Sequence, residues 1–232
     1  MGFLKFLLIS TGTVVGTAAV AVGATLVVTG LPTKDIDVQW NENHWESYLV
    51  KTGAEYTSEH ASAEDMVANN IIETGVVPVD ATFINEELTA AANKTTNDNS
   101  VMKDIKIKCN SDGTVEASCV IGSLKEIMES NPSLEKYSFI AGLIKNRPVY
   151  LKSTLSYEEG SGIFKGDTTE VRIGKLKVPV SWVAFGLEDV ASATNKTLSS
   201  LGGFTVENFA VKSGGMEFKG TLPEQVDSDG PF

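Results

Sequence analysis

The chain has 232 residues, 42% of them hydrophobic and 21% charged, and a formal net charge of −11 at pH 7. That acidity argues against nucleic acid as a partner, which needs a basic surface, and against simple adhesion to anionic lipid headgroups. Two cysteines, Cys109 and Cys119, are too few for a disulfide scaffold.

The first element is residues 6–31, FLLISTGTVVGTAAVAVGATLVVTGL, a run without a charged residue. It is long enough to cross a bilayer as a helix. Lys5 and the terminal amine precede it, while Lys34 sits just beyond it and Asp35 and Asp37 follow at once. The positive-inside rule favours the N-terminus in the cytoplasm and the bulk of the chain outside. The expectation is a single-pass cell-membrane protein with an extracytoplasmic C-terminal domain. A cleaved signal peptide is the competing reading, because small residues around Ala19, Ala21 and Ala24 suit a peptidase. Against it, the apolar run continues to Val28, past the usual hydrophobic length of about 7–15 residues. Gly12 and Gly16 form a small-xxx-small motif, the candidate contact for self-association or for a membrane-protein partner.

Residues 35–40 alternate, which predicts a short strand with Ile36, Val38 and Trp40 on one face. Asn41 caps a helix carrying Trp45, Tyr48 and Leu49, and Gly53 stops it. Residues 54–75 are polar and irregular, with a short helix near Met66. Val76–Phe83 returns to strand character, and Pro78 demotes it to an edge or an interrupted strand. Asn85 then caps a second short helix, EELTAAANK.

Residues 103–109 and 114–121 alternate on either side of Asn110-Ser111-Asp112-Gly113, a hairpin signal. The simplest register sets Cys109 opposite Val115 and Cys119 opposite Ile105. The sulfurs then stand about 13 Å apart by strand rise, beyond disulfide reach. Two buried free thiols are expected. Ser123-x-x-Glu126 opens a helix interrupted at Pro132, whose second half carries Leu134, Tyr137 and Ile140 on an apolar face.

A β region follows at Val149–Tyr157, Ile163–Ile173 and Leu176–Pro179. Val180–Leu201 reads as one long helix, striped by Val183, Leu187, Val190, Thr194, Leu198 and Leu201. Gly214-Gly215 then turns a last hairpin, Phe204–Val211 with Met216–Leu222. From Pro223 the chain is acidic and reads as a disordered tail.

Chemistry is sparse. His44 and His60 have no neighbouring ligands at metal spacing, so no metal site is expected. No phosphate loop, dinucleotide fingerprint or nucleophile elbow is present. Acid pairs such as Glu86-Glu87 and Glu158-Glu159 sit at a helix start or a turn. No catalytic residue and no cofactor are expected. Asn93-Lys94-Thr95 and Asn195-Lys196-Thr197 fit the glycosylation sequon.

FINEELTAAANK (83–94), VEASCVIG (115–122), EVRIGKLKVP (170–179) and above all GGFTVENFAVKSGGMEFKGTLP (202–223) resemble segments of the YpmS-like and LmeA-like families of bacterial envelope proteins. The resemblance covers residues 80–223 and carries no catalytic residues. It implies an N-terminal anchor and a domain related to tubular lipid-binding folds, in which a curled sheet wraps long helices. The expected fold class is therefore α+β: an N-terminal transmembrane helix, then a curled antiparallel sheet packed on one long and several short helices. The expected divisions are residues 1–33 as cytoplasmic stub and transmembrane signal anchor, 34–80 as a membrane-proximal segment, 81–223 as the lipid-binding-like domain and 224–232 as the tail.

The implied role is binding a membrane lipid or lipid-linked envelope precursor in an apolar groove. Leu151 and Leu155 on a strand would line it with Val183, Leu187, Val190 and Leu198 on the helix, and Trp182, Phe185 and Phe204 would stand at its mouth. The bland alternative is that these residues fill a core. The alternative function is a non-catalytic structural or scaffolding subunit of a cell-envelope membrane complex.

Overall fold

A computed structural model describes residues 34–53, 71–95, 102–121, 147–159, 161–182, 195, 198–199 and 202–228. Two segments fold as helices: α1 (Glu42–Thr52), capped by Asn41, and α2 (Asn85–Thr95), in which Asn85 is the first helical residue rather than the expected cap, its side chain turned to β2 instead. The rest is dominated by strands: β1 (Ile71–Ile84), β2 (Met102–Cys109), β3 (Thr114–Ile121), β4 (Arg147–Thr154), β5 (Ser156–Glu158), β6 (Ile163–Lys165), β7 (Thr168–Ile173), β8 (Leu176–Val178), β9 (Thr205–Lys212) and β10 (Gly215–Ser228).

The strands form three antiparallel sheets, ordered β1-β10-β9, β2-β3-β4-β7-β8 and β5-β6. The expectation of a curled sheet around one long helix is corrected. The described chain is largely β, and its sheets are open, neither curled nor closed. The physical reason lies in where the apolar faces go. Phe83, Met216, Phe218 and Leu222 of the three-stranded sheet share one core with Ile107, Val115, Val149, Leu151 and Val171 of the five-stranded sheet. Each sheet is thus covered by the other and by the two short helices, so neither needs to wrap a long helix. Where the long helix was expected to begin, Val180–Trp182 form a 3-10 turn. Residues 183–194 lie outside the described residues, as do Gly12, Gly16 and the run 6–31. No helix among the described residues is long and apolar enough to cross a membrane.

Local signals place several elements. Asn41 and His44 form a reciprocal capping box at the start of α1, and Gly53 closes the helix in the left-handed conformation that its missing Cβ allows. Trp45 stacks on Tyr48, and Tyr48 lies 5.1 Å from the Phe83 ring. This contact joins residues on both sides of the expected boundary at 80, which β1 itself runs through. β1 is an edge strand, as Pro78 requires. β10 runs on to Ser228 and pairs with β1 down to Ile71, so residues 224–228 are strand rather than tail.

The β2–β3 hairpin turns at Asn110–Gly113, with Cys109 opposite Val115. Beyond Lys106 the register slips by one residue. Asp104, at φ 51°, takes up the extra residue as a bulge, so the simple pairing of Cys119 with Ile105 does not form. Both thiols are free and buried, and burial pushes each up to about 12. Neither is a thiolate near neutral pH. A maleimide added to the folded protein should therefore label neither cysteine over hours and both in 6 M guanidinium, read by intact mass. Rapid labelling of the native protein would contradict this packing.

Candidate functional site

Two polar constellations stand out, one at a sheet edge and one on a sheet face. The first begins at α2. Asn85, Thr89 and Asn93 recur every four residues, so they share one helix face. That face lies along β2. Asn85 Oδ1 accepts from the Cys109 amide at 2.8 Å. The Thr89 hydroxyl accepts from the Ile107 amide at 3.0 Å and donates to the Ile107 carbonyl at 3.3 Å. The Asn93 carboxamide accepts from the Ile105 amide at 3.1 Å and donates to its carbonyl at 2.7 Å. Four helical residues rise about 6 Å and two strand residues about 6.6 Å, so the two repeats stay in step over three contacts. α2 thus pairs with the free edge of β2 through side chains.

At its N-terminus α2 also ties the sheets together. The Asn85 amide donates to the Gly214 carbonyl at 3.0 Å, and the Gly214 amide donates to the Cys109 carbonyl at 3.1 Å. Glu87, 2% exposed, accepts from Ser47 Oγ at 2.5 Å, Lys51 Nζ at 2.7 Å and the Ile84 amide at 2.9 Å. Lys51 also donates to the Thr82 carbonyl at 2.7 Å on β1. Asn195 repeats the clamp on β6, accepting from the Phe164 amide at 2.8 Å and donating to its carbonyl at 2.9 Å. Both sequon asparagines are therefore strand clamps.

The second constellation is on the outer face of the five-stranded sheet. Residues 34–40 cross it as a strap. Ile36 and Val38 alternate as expected, yet they do not join the sheet. They bury themselves against Tyr150, which is 0% exposed, in a separate small cluster. Burying two such side chains is worth about 2 kcal/mol each. Lys34 Nζ donates to the Tyr150 hydroxyl at 3.0 Å and to Glu116 at 3.1 Å, and lies 4.9 Å from the Tyr150 ring centre. The bond to Tyr150 holds the Lys34 ammonium above its ordinary range, and burial pushes the Tyr150 phenol up. Lys106 pairs with Asp35 at 3.0 Å.

Five of the nine expected groove residues are among the described residues. Leu151 and Leu198 are buried in the main core, with Leu155 and Phe204 packed partly buried against it. Phe204 stacks on Phe218 with ring centres 6.4 Å apart. Trp182 ends the 3-10 turn, and Val183, Phe185, Leu187 and Val190 lie outside the described residues. The edge clamp and the strap were not anticipated. A polar residue every fourth position on a helix reads as a solvated face, and its only distinguishing sign was the neighbouring run Ala90-Ala91-Ala92. Among the described residues no group of histidine, cysteine or acidic side chains could hold a metal. Comparison with protein-family models, curated proteins and solved structures found no match.

Proposed function

We propose that the protein is a membrane-tethered, non-catalytic structural module, a subunit that holds a firmly packed β domain at the extracytoplasmic surface of an envelope membrane. The supporting observation is the strap. Lys34, three residues beyond the apolar run 6–31, is bonded to the second and third strands across the five-stranded sheet. A domain that ferries lipid gains from a loose linker, whereas a subunit held in one orientation needs the linker fixed. The placement of Leu151, Leu155, Leu198 and Phe204 in or against the core supports the same reading over lipid carriage in a groove. The test uses full-length protein with a protease site between Leu31 and Lys34, cut after purification. Mass spectrometry of organic extracts of the released domain should find no stoichiometric lipid. One lipid per chain, lost in a folded Leu198→Gln variant, would restore the lipid-binding function and overturn this one.

A further inference from the structure

Register carries the outer face of the five-stranded sheet into two cross-strand rows. One runs Lys106–Ser118–Tyr150–Arg172–Lys177, and the next Lys108–Glu116–Lys152–Glu170. The first row holds cations and no carboxylate, and the second alternates, as cross-strand pairs favour. The strap adds Lys34 together with Asp35 and Asp37, and Asp112 reaches Lys152 from the β2–β3 turn. Six cations face five carboxylates here, so the face is near neutral and all of the chain's −11 is carried elsewhere.

The geometry points to this face as the surface that lies against the bilayer, its partner being the headgroup layer of the membrane that holds residues 6–31. The inference rests on the tether reading proposed above. Three residues from Leu31 to Lys34 span at most about 10 Å, and Lys34 is bonded to Tyr150 and Glu116 near the middle of the face. The sheet therefore cannot turn its other side to the membrane without undocking the strap. The distance also matches the screening length of about 10 Å at 0.1 M salt, so headgroup charge acts on these rows. Anionic lipid repels the rest of the acidic domain and leaves the near-neutral face inward.

The buried native thiols make the test direct, because an introduced surface cysteine is labelled alone. Full-length protein is placed in vesicles of phosphatidylcholine, with or without 30% phosphatidylglycerol, and labelled from outside with an impermeant donor dye. One variant carries Lys177→Cys on the exposed outer row, the other Glu207→Cys on β9 of the other sheet. Energy transfer to a headgroup-labelled lipid should be at least twofold greater from position 177, and the ratio should rise with the anionic lipid. Adding Ile36→Asp and Lys34→Ala should collapse the ratio while the circular dichroism spectrum is kept. Equal transfer from both positions, or a ratio that survives undocking of the strap, overturns the inference while leaving the tether standing. Release of the chain from vesicles by alkaline carbonate instead sinks the tether and the inference with it.

Discussion

Glu87→Ala should destabilise the domain by about 3 kcal/mol, among the largest effects of any single substitution outside the apolar core. The carboxylate is buried and accepts from Ser47, Lys51 and the Ile84 amide. Hydrogen bonds to a charged acceptor are worth about 1.5–3 kcal/mol each and do not add. Their loss leaves the Ile84 amide without an acceptor at the junction of β1 and α2. Removing one partner of a fully buried ion pair costs about 3–5 kcal/mol. The Lys51 side chain is 31% exposed, so its ammonium can turn toward water, which holds the expected cost at the lower end. Glu87→Gln keeps the shape and an acceptor for Ile84, and should cost about half as much. Urea unfolding followed by tryptophan fluorescence gives the comparison, with the slope unchanged between variants. A loss below about 1 kcal/mol for the alanine variant would mean that this ion pair does not hold α1 on α2.

Asn93→Ala and Thr89→Val each should cost about 2–3 kcal/mol, because each strands an amide and a carbonyl of β2. Thr89→Val is the sharper experiment. Thr89 is 0% exposed, and valine keeps its shape while removing only the hydroxyl. Hydrogen exchange separates this from general loosening. In the parent protein the Ile105, Ile107 and Cys109 amides should all be protected as though a further strand lay beside β2. In Asn93→Ala the Ile105 amide should lose protection first, and in Thr89→Val the Ile107 amide. Uniform loss across β2 and β3 would show that the clamp is not read residue by residue.

What could be read from the sequence was local. The α1 caps at Asn41 and Gly53, the turn at Asn110–Gly113 and the last hairpin each follow from a few adjacent residues and are found, the hairpin turning at Ser213-Gly214 with Gly215 already paired to Lys212; of the two readings of Pro78, the edge strand is the one that forms. The sheet order was not legible. β1 pairs with β10 across most of the chain, and β3 meets β4 across residues 122–146. Alternation fixes which side of a strand is apolar but not its neighbour. Ile36 and Val38 illustrate the gap: they are buried as their alternation predicts, yet against the outside of a sheet they never join. Leu151 and Leu198 were legible as buried, but the same pattern served for a groove lining and for a core. Asp104 hid a bulge because an extra residue leaves no mark on composition.

The side-chain clamp between α2 and β2 also restricts how the chain can change its length. Inserting or deleting one residue between Asn85 and Asn93 rotates everything beyond it by about 100° around the helix axis. Asn93 would then leave the Ile105 backbone, and Leu88 or Ala92 would leave the core, depending on where the change fell. A residue added at Asn110–Gly113 meets no such constraint, because the hairpin ladder on either side can absorb a longer turn. Any relative that shares this fold should therefore keep the eight-residue interval between the first and last clamp while varying freely in the turn that follows β2.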